Sequence, residues 1–301
     1  MSDYYNQLKQ AFYEIQGTLT GDYEIRPDNV YQKGNYEGQE IIGSLVDKIV
    51  LPGSRIINSE NLKELYNRSQ NGESCLLLVE HYSNFDYPVI FRFLETDPLL
   101  GKDVARSLIP IQGMKLSSDG SVTSAFTQTY STIVIYPSRS IDGVEDPEKK
   151  AEIRKISTPI NHAAMKELTD RKYHGQIILV FPSGTRYRPW APESKKGVRE
   201  IFTYLKSFEN ILFLGINGNI MEPHQSDDMN ADVKAIKEDL MLLTASPVIK
   251  GKEFRKQKIS ETPDGEDSKQ HVVDQVMNEL EIIHISTEKI RLQELKKLNQ
   301  K

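Results

Sequence analysis

Three stretches carry residue types that do chemistry at spacings a tight turn can bring together. The first runs His81-Tyr82-Ser83-Asn84-Phe85-Asp86-Tyr87-Pro88, directly after the strand-like run Leu76 to Glu80. A histidine just past a strand and an aspartate five residues on can meet across one turn. The carboxylate then accepts from one ring nitrogen and leaves the other as a base toward a hydroxyl. The same spacing also suits a strand-end histidine merely capped by a turn aspartate. The second stretch is Pro182-Ser183-Gly184-Thr185-Arg186-Tyr187-Arg188-Pro189, after Gln176 to Phe181. Two arginines one residue apart can aim their forks at a single anion, and phosphate oxygens match such forks bidentately. The nearest acid downstream is Glu193 and none precedes them in that loop, which favours a phosphate-bearing ligand over a surface ion pair. The third stretch, Tyr136-Pro137-Ser138-Arg139-Ser140, places Arg139 after another strand. Groups that follow parallel strands gather at one sheet edge, which would bring Arg139 beside His81 and Arg186. A softer fourth candidate is Gly215 to Pro223, where glycines permit close backbone approach to a ligand.

Other chemistries fit less well. The G-x-S-x-G elbow of a serine hydrolase is missing around Ser183. The histidines at 162, 174, 224, 271 and 284 are scattered, with no two-histidine ligand spacing beside His81, so no metal is expected. Neither a P-loop nor a dinucleotide fingerprint occurs, and no cofactor is expected. Cys75 cannot form an internal disulfide and reads as a buried, inert thiol.

The elements that must position these residues follow from hydrophobic pattern. Tyr4, Leu8, Phe12 and Ile15 predict a short amphipathic helix, and the glycine-bearing stretch 17–40 reads as loop, so residues 1–48 form a helical appendage. From there to residue 301 one α/β domain is expected, with apolar runs alternating with longer helical patterns. Strands are expected at 76–80, 107–111, 131–136, 176–181, 211–216 and 245–249. Helices are expected at 59–71, from 85, near 122, and at 147–170, 195–207 and 232–243. Such alternation predicts a mostly parallel central sheet flanked by helices. The tail from Gln270 is helical by pattern, with His284 interrupting its apolar face.

The 301 residues are 38% hydrophobic and 27% charged, which excludes global disorder. The formal charge, 38 − 43 = −5, gives no generic affinity for nucleic acid. No apolar run approaches the roughly 20 residues of a membrane span, so at most peripheral membrane contact is expected. Met1 to Asn6 lack the basic and apolar regions of an export signal, making the cytoplasm the expected compartment.

The two main stretches resemble known blocks. His81 to Asp86 resembles the HxxxxD block of the glycerolipid acyltransferases, and Phe181 to Arg186 resembles their FPEGTR block, with Ser183 where Glu is usual. Pro182 to Pro189 is most similar to the PSGGRDRP version of the soluble plastid-type glycerol-3-phosphate 1-acyltransferases. Ile135 to Ser140 resembles their Ile-Tyr-Ser-Lys-Lys-His segment, with Ser140 in place of the histidine. The resemblance spans roughly residues 50 to 225, and residues 1–48 are shorter than the family's N-terminal helical bundle.

This resemblance implies transfer of an acyl chain from an acyl carrier protein or coenzyme A thioester to the sn-1 hydroxyl of glycerol-3-phosphate. His81 would be the general base and Asp86 its support, while Arg139, Arg186 and Arg188 would bind the substrate phosphate. Three other readings stay open: acylation of 1-acylglycerol-3-phosphate, a non-catalytic phosphate-ligand or lipid-binding module, and a metal-dependent phosphoesterase using His81 and Asp86. Two basic runs are candidate donor-docking surfaces, Lys195-Lys196-Arg199 and the denser Lys250, Lys252, Arg255, Lys256 and Lys258.

Overall fold

The computed structural model describes residues 3–18, 24–114, 128–225, 232–298 and 300, apart from the side chains of Arg139 and Val233. The strand β3 (Cys75–Val79) sets the frame. It is buried at every residue, and its side chains alternate between two hydrophobic clusters, as a period of two requires. Cys75, Leu77 and Val79 join one cluster; Leu76 and Leu78 join the other. Burying each such leucine contributes roughly 1.5–3 kcal/mol. The neighbouring β6 (Ile177–Val180) and β7 (Asn210–Asn217) repeat the alternation and pair parallel with β3 on either side.

The remaining strands are β1 (Tyr31–Gln32), β2 (Arg55–Ile57), β4 (Leu108–Gly113), β5 (Thr132–Ile135), β8 (Leu242–Ala245) and β9 (Ile249–Lys250). The order across the sheet is β1-β5-β4-β6-β3-β7-β8-β2, with β9 also on β7. From β5 through β7 every neighbour is parallel, as is the β8/β2 pair, whereas β1/β5, β7/β8 and β7/β9 are antiparallel. The sheet is therefore mixed, with a parallel centre.

Helices cover both faces, as a buried parallel sheet requires. On the first face lie α1 (Asp3–Thr18), α2 (Tyr36–Ile49), α3 (Ser59–Gln70), α4 (Asp86–Thr96) and α5 (Lys102–Ser107). A five-residue α6 (Ser138–Asp142) follows β5. On the second face lie α7 (Pro147–Arg171), α8 (Ile201–Ser207), α9 (Gly251–Ser260) and α10 (Ser268–Leu298). The N-terminal residues Leu8, Phe12, Ile15, Ile42 and Leu45 share their cluster with Leu77 and Val79 of β3.

Five segments differ from the sequence expectation, the first being the strand expected at 245–249, which is split into the end of β8 and the start of β9 with Pro247 between them. The stretch 17–40 is not all loop: Asn35 caps α2 by accepting from the amides of Glu37 and Gly38. The expected helix 195–207 is helical only over Ile201–Ser207, because Val198 N donates to Pro182 O at 2.9 Å and ties this chain to the arginine loop. Gly197 sits beneath α10, where a Cβ would come 2.5 Å from Val273 Cγ1. The expected helix 232–243 is a short 3-10 turn, Val233–Ala235, followed by extended chain that bridges from Ile236 to Met221 and from Asp239 to Val50. The tail helix α10 runs unbroken through His284. The expected helix near Val122 lies outside the described residues.

Candidate active site

His81 and Asp86 meet where β3 ends. Asp86 opens α4, is 3% exposed, and its Oδ2 accepts from the amides of Tyr82 (2.6 Å) and Ser83 (2.9 Å). The same oxygen lies 2.9 Å from His81 Nδ1. A carboxylate only accepts, so Nδ1 carries the proton and Nε2 is left as the basic nitrogen. The imidazole stacks on Phe181, the first residue beyond β6, with centroids 4.1 Å apart and planes 20° apart. The ring is thus held on one edge by a carboxylate and on one face by an aromatic side chain.

The arginine loop is joined to this site by backbone: Tyr187 N donates to His81 O at 2.8 Å. Its turn closes through Gly184 N to Phe181 O at 2.9 Å, with Gly184 in the left-handed region at φ 62°. The two arginines have different surroundings. Arg186 is 9% exposed and its guanidinium donates to Asp232 Oδ2, a carboxylate that also accepts from His224 N (2.6 Å) and Asn84 Nδ2 (3.4 Å). Burial, then Arg188 beside it, press the Arg186 pKa down, opposed by the charge of Asp86. The acid missing from the local sequence is supplied from 46 residues downstream. Arg188 has no ion-pair partner among the described residues. It lines a cleft of about 800 Å³ together with Thr185, Lys195, Lys196, Asp274 and Met277, between the arginine loop and α10.

A second polar cluster lies behind the dyad and was not legible in local spacing. Glu80 continues the strand alternation toward the α10 face, where its carboxylate meets His284 Nδ1 at 3.1 Å, Tyr82 Oη at 2.7 Å and Ile216 N at 2.8 Å. Burial, then the Glu80 charge, pushes the Tyr82 phenol up, so it remains a donor. Glu80 and His284 therefore clamp the residue whose amide cradles Asp86. Burial works to lower the His284 pKa, but the hydrogen bond and charge of Glu80, aided by Glu281 against Lys195, raise it above the ordinary value. A folded-state pKa above the unfolded one gives stabilisation that is full below the unfolded value and lost as pH rises through the folded value. His284→Gln is accordingly expected to lower the melting temperature at about pH 5.5 and to approach wild type toward about pH 9. A deficit that grew with pH in a melting series would show that the neutral ring is the stabilising form.

The other expected site residues fall as follows. Arg139 lies on α6 just beyond β5, at the same strand-end edge as His81 but three strands away, about 14 Å at ~4.8 Å per strand. Its side chain lies outside the described ones. Lys195 pairs with Glu281 and Arg199 with Asp267. Lys250 pairs with Glu73 and lies opposite Asn210, at the start of β7 and the sheet edge remote from His81. The run that begins there is thus rooted at the strand ends opposite to the one that His81 follows. Burial pushes the Cys75 thiol up to about 12, which suits an inert core residue. Among the described residues no helix is long and apolar enough to cross a membrane. No family model matches the chain, and a search of the curated proteins finds no match.

Proposed function

We propose that the chain is an acyltransferase that moves a fatty acyl chain from an acyl carrier protein or coenzyme A thioester to the sn-1 hydroxyl of glycerol-3-phosphate. What carries the reading is the buried Asp86 carboxylate on His81 Nδ1, with an arginine loop bonded to the backbone of the same histidine. His81 Nε2 accepts the hydroxyl proton as the oxygen attacks the thioester carbonyl. The tetrahedral adduct expels the thiolate, which takes that proton from the imidazolium. Asp86 stabilises the imidazolium between these steps. General-base help of this kind contributes typically ~10² to 10⁴-fold, and fixing the acceptor by its phosphate adds a proximity effect.

Within this reading Arg188 is the principal phosphate ligand, since Asp232 already neutralises Arg186. Arg186 anchors the loop and adds its remaining donors, and Arg139 completes the anion site from the end of β5, two strands from β6 at the same edge. Glycerol-3-phosphate and 1-acylglycerol-3-phosphate, each offered with both thioesters, test the assignment. The expected product is 1-acylglycerol-3-phosphate from the first acceptor. Acceptor binding without turnover would identify a phosphate-ligand module instead.

The two arginines are expected to separate on substitution. Arg188→Ala should raise KM for the phosphate acceptor by on the order of 1.5–3 kcal/mol, with the thioester KM and the melting temperature unchanged. Arg186→Ala should also destabilise the fold by about 3–5 kcal/mol, because Asp232, 1% exposed, is left charged and unpaired. Restoration of the melting temperature in Arg186→Ala/Asp232→Ala would attribute that loss to the pair. Equal damage by Arg188→Ala to both KM values would make its loop structural.

A further inference from the structure

The helix α10 is 31 residues long, about 46 Å at 1.5 Å per residue, and its two faces differ. Val273, Leu280 and Thr287, seven residues apart, are at most 1% exposed and form its inner line against the sheet. On the opposite side Ile282, Ile285, Lys289, Leu292 and Lys296 follow one another at spacings of three, four, three and four. That is the repeat of a coiled-coil seam. Ile282, Ile285 and Leu292 are 54%, 49% and 48% exposed. Isolated exposed apolar residues need no explanation, but a seam of them in register does.

The charges along this stretch are also sorted. The two acids between Ile282 and Lys296 turn away from the seam and are engaged, Glu288 by Arg291 and Asn217 and Glu294 by Arg55. Glu281, just before it, is held by Lys195. Lys289 and Lys296 have no ion-pair partner among the described residues. The seam is therefore apolar, doubly positive and without a carboxylate of its own.

We propose that this face of α10 docks one amphipathic helix of a partner protein, with carboxylates interrupting the partner's apolar stripe where it faces Lys289 and Lys296. The apolar positions supply contact area, and the lysines select the partner by charge. A second copy of this chain fits poorly, since it would bring the same two lysines and no acid to the seam. A lipid surface also fits poorly, because Lys289 lies within the stripe and Lys296 closes the same line, so insertion would carry both toward hydrocarbon. The proposal does not depend on the acyl-transfer reading.

The test uses the full chain and two synthetic helical peptides of roughly three heptads with leucine seams, one with Glu and one with Lys at the positions facing Lys289 and Lys296. Fluorescence anisotropy is expected to show the Glu peptide binding at least about ten-fold more tightly. The variant Lys289→Glu/Lys296→Glu should reverse that preference, and Ile285→Ser/Leu292→Ser should weaken both peptides without changing the melting temperature. Absence of binding, or equal binding of the two peptides, would overturn the proposal. So would self-association abolished by Ile285→Ser/Leu292→Ser, or sedimentation with phosphatidylglycerol vesicles in place of peptide binding.

Discussion

His81→Ala is expected to lower kcat by about 10² or more while leaving acceptor binding within about two-fold of wild type. In the proposed reaction the imidazole is needed only while the acceptor hydroxyl loses its proton, whereas phosphate affinity is assigned to Arg188. The fold should survive. The ring is 19% exposed, stacks on Phe181, and its loss leaves Asp86 with both backbone amide donors. Steady-state rates with the acyl thioester saturating, together with acceptor titration by calorimetry, check both halves. Activity above about a tenth of wild type would remove His81 from the role of base.

Asp86→Asn is expected to cost about 10² or more in kcat, with a smaller effect on acceptor KM. The amide oxygen can still accept from Tyr82 N and Ser83 N, so the turn keeps its shape. Only a carboxylate, however, both fixes the proton on Nδ1 and stabilises the imidazolium. An amide that turned its NH₂ toward His81 would move the proton to Nε2 and block the base. Melting temperature separates the causes, since loss of the carboxylate should lower kcat while the fold stays as stable as wild type. A rate loss accompanied by a lowered melting temperature would make Asp86 only a brace for the turn before α4.

What could be read without coordinates was local. Strand β3 showed itself as the apolar run Leu76 to Glu80, one residue off the observed Cys75–Val79, and His81 and Asp86 are five residues apart, within the reach of one turn. Helix α2, capped by Asn35, was hidden because the glycines around it favoured a loop reading. Long-range partners left no such trace. Asp232 reaches Arg186 across 46 residues, and His284 reaches Glu80 across 204, because the sheet order rather than the chain order makes them neighbours. The segments 195–200 and 236–241 fall within the helices expected at 195–207 and 232–243 but spend their backbone groups on Pro182, Ile220 and the bridge to Val50. Tertiary hydrogen bonds there outweigh a weak propensity.

Release of free thiol from a palmitoyl thioester, followed with and without glycerol-3-phosphate, tests the central claim most directly. The account predicts thiol release that requires the acceptor, is matched one for one by acylated glycerol-3-phosphate, and disappears in His81→Ala. Thiol release that is indifferent to the acceptor and yields only free fatty acid would contradict it.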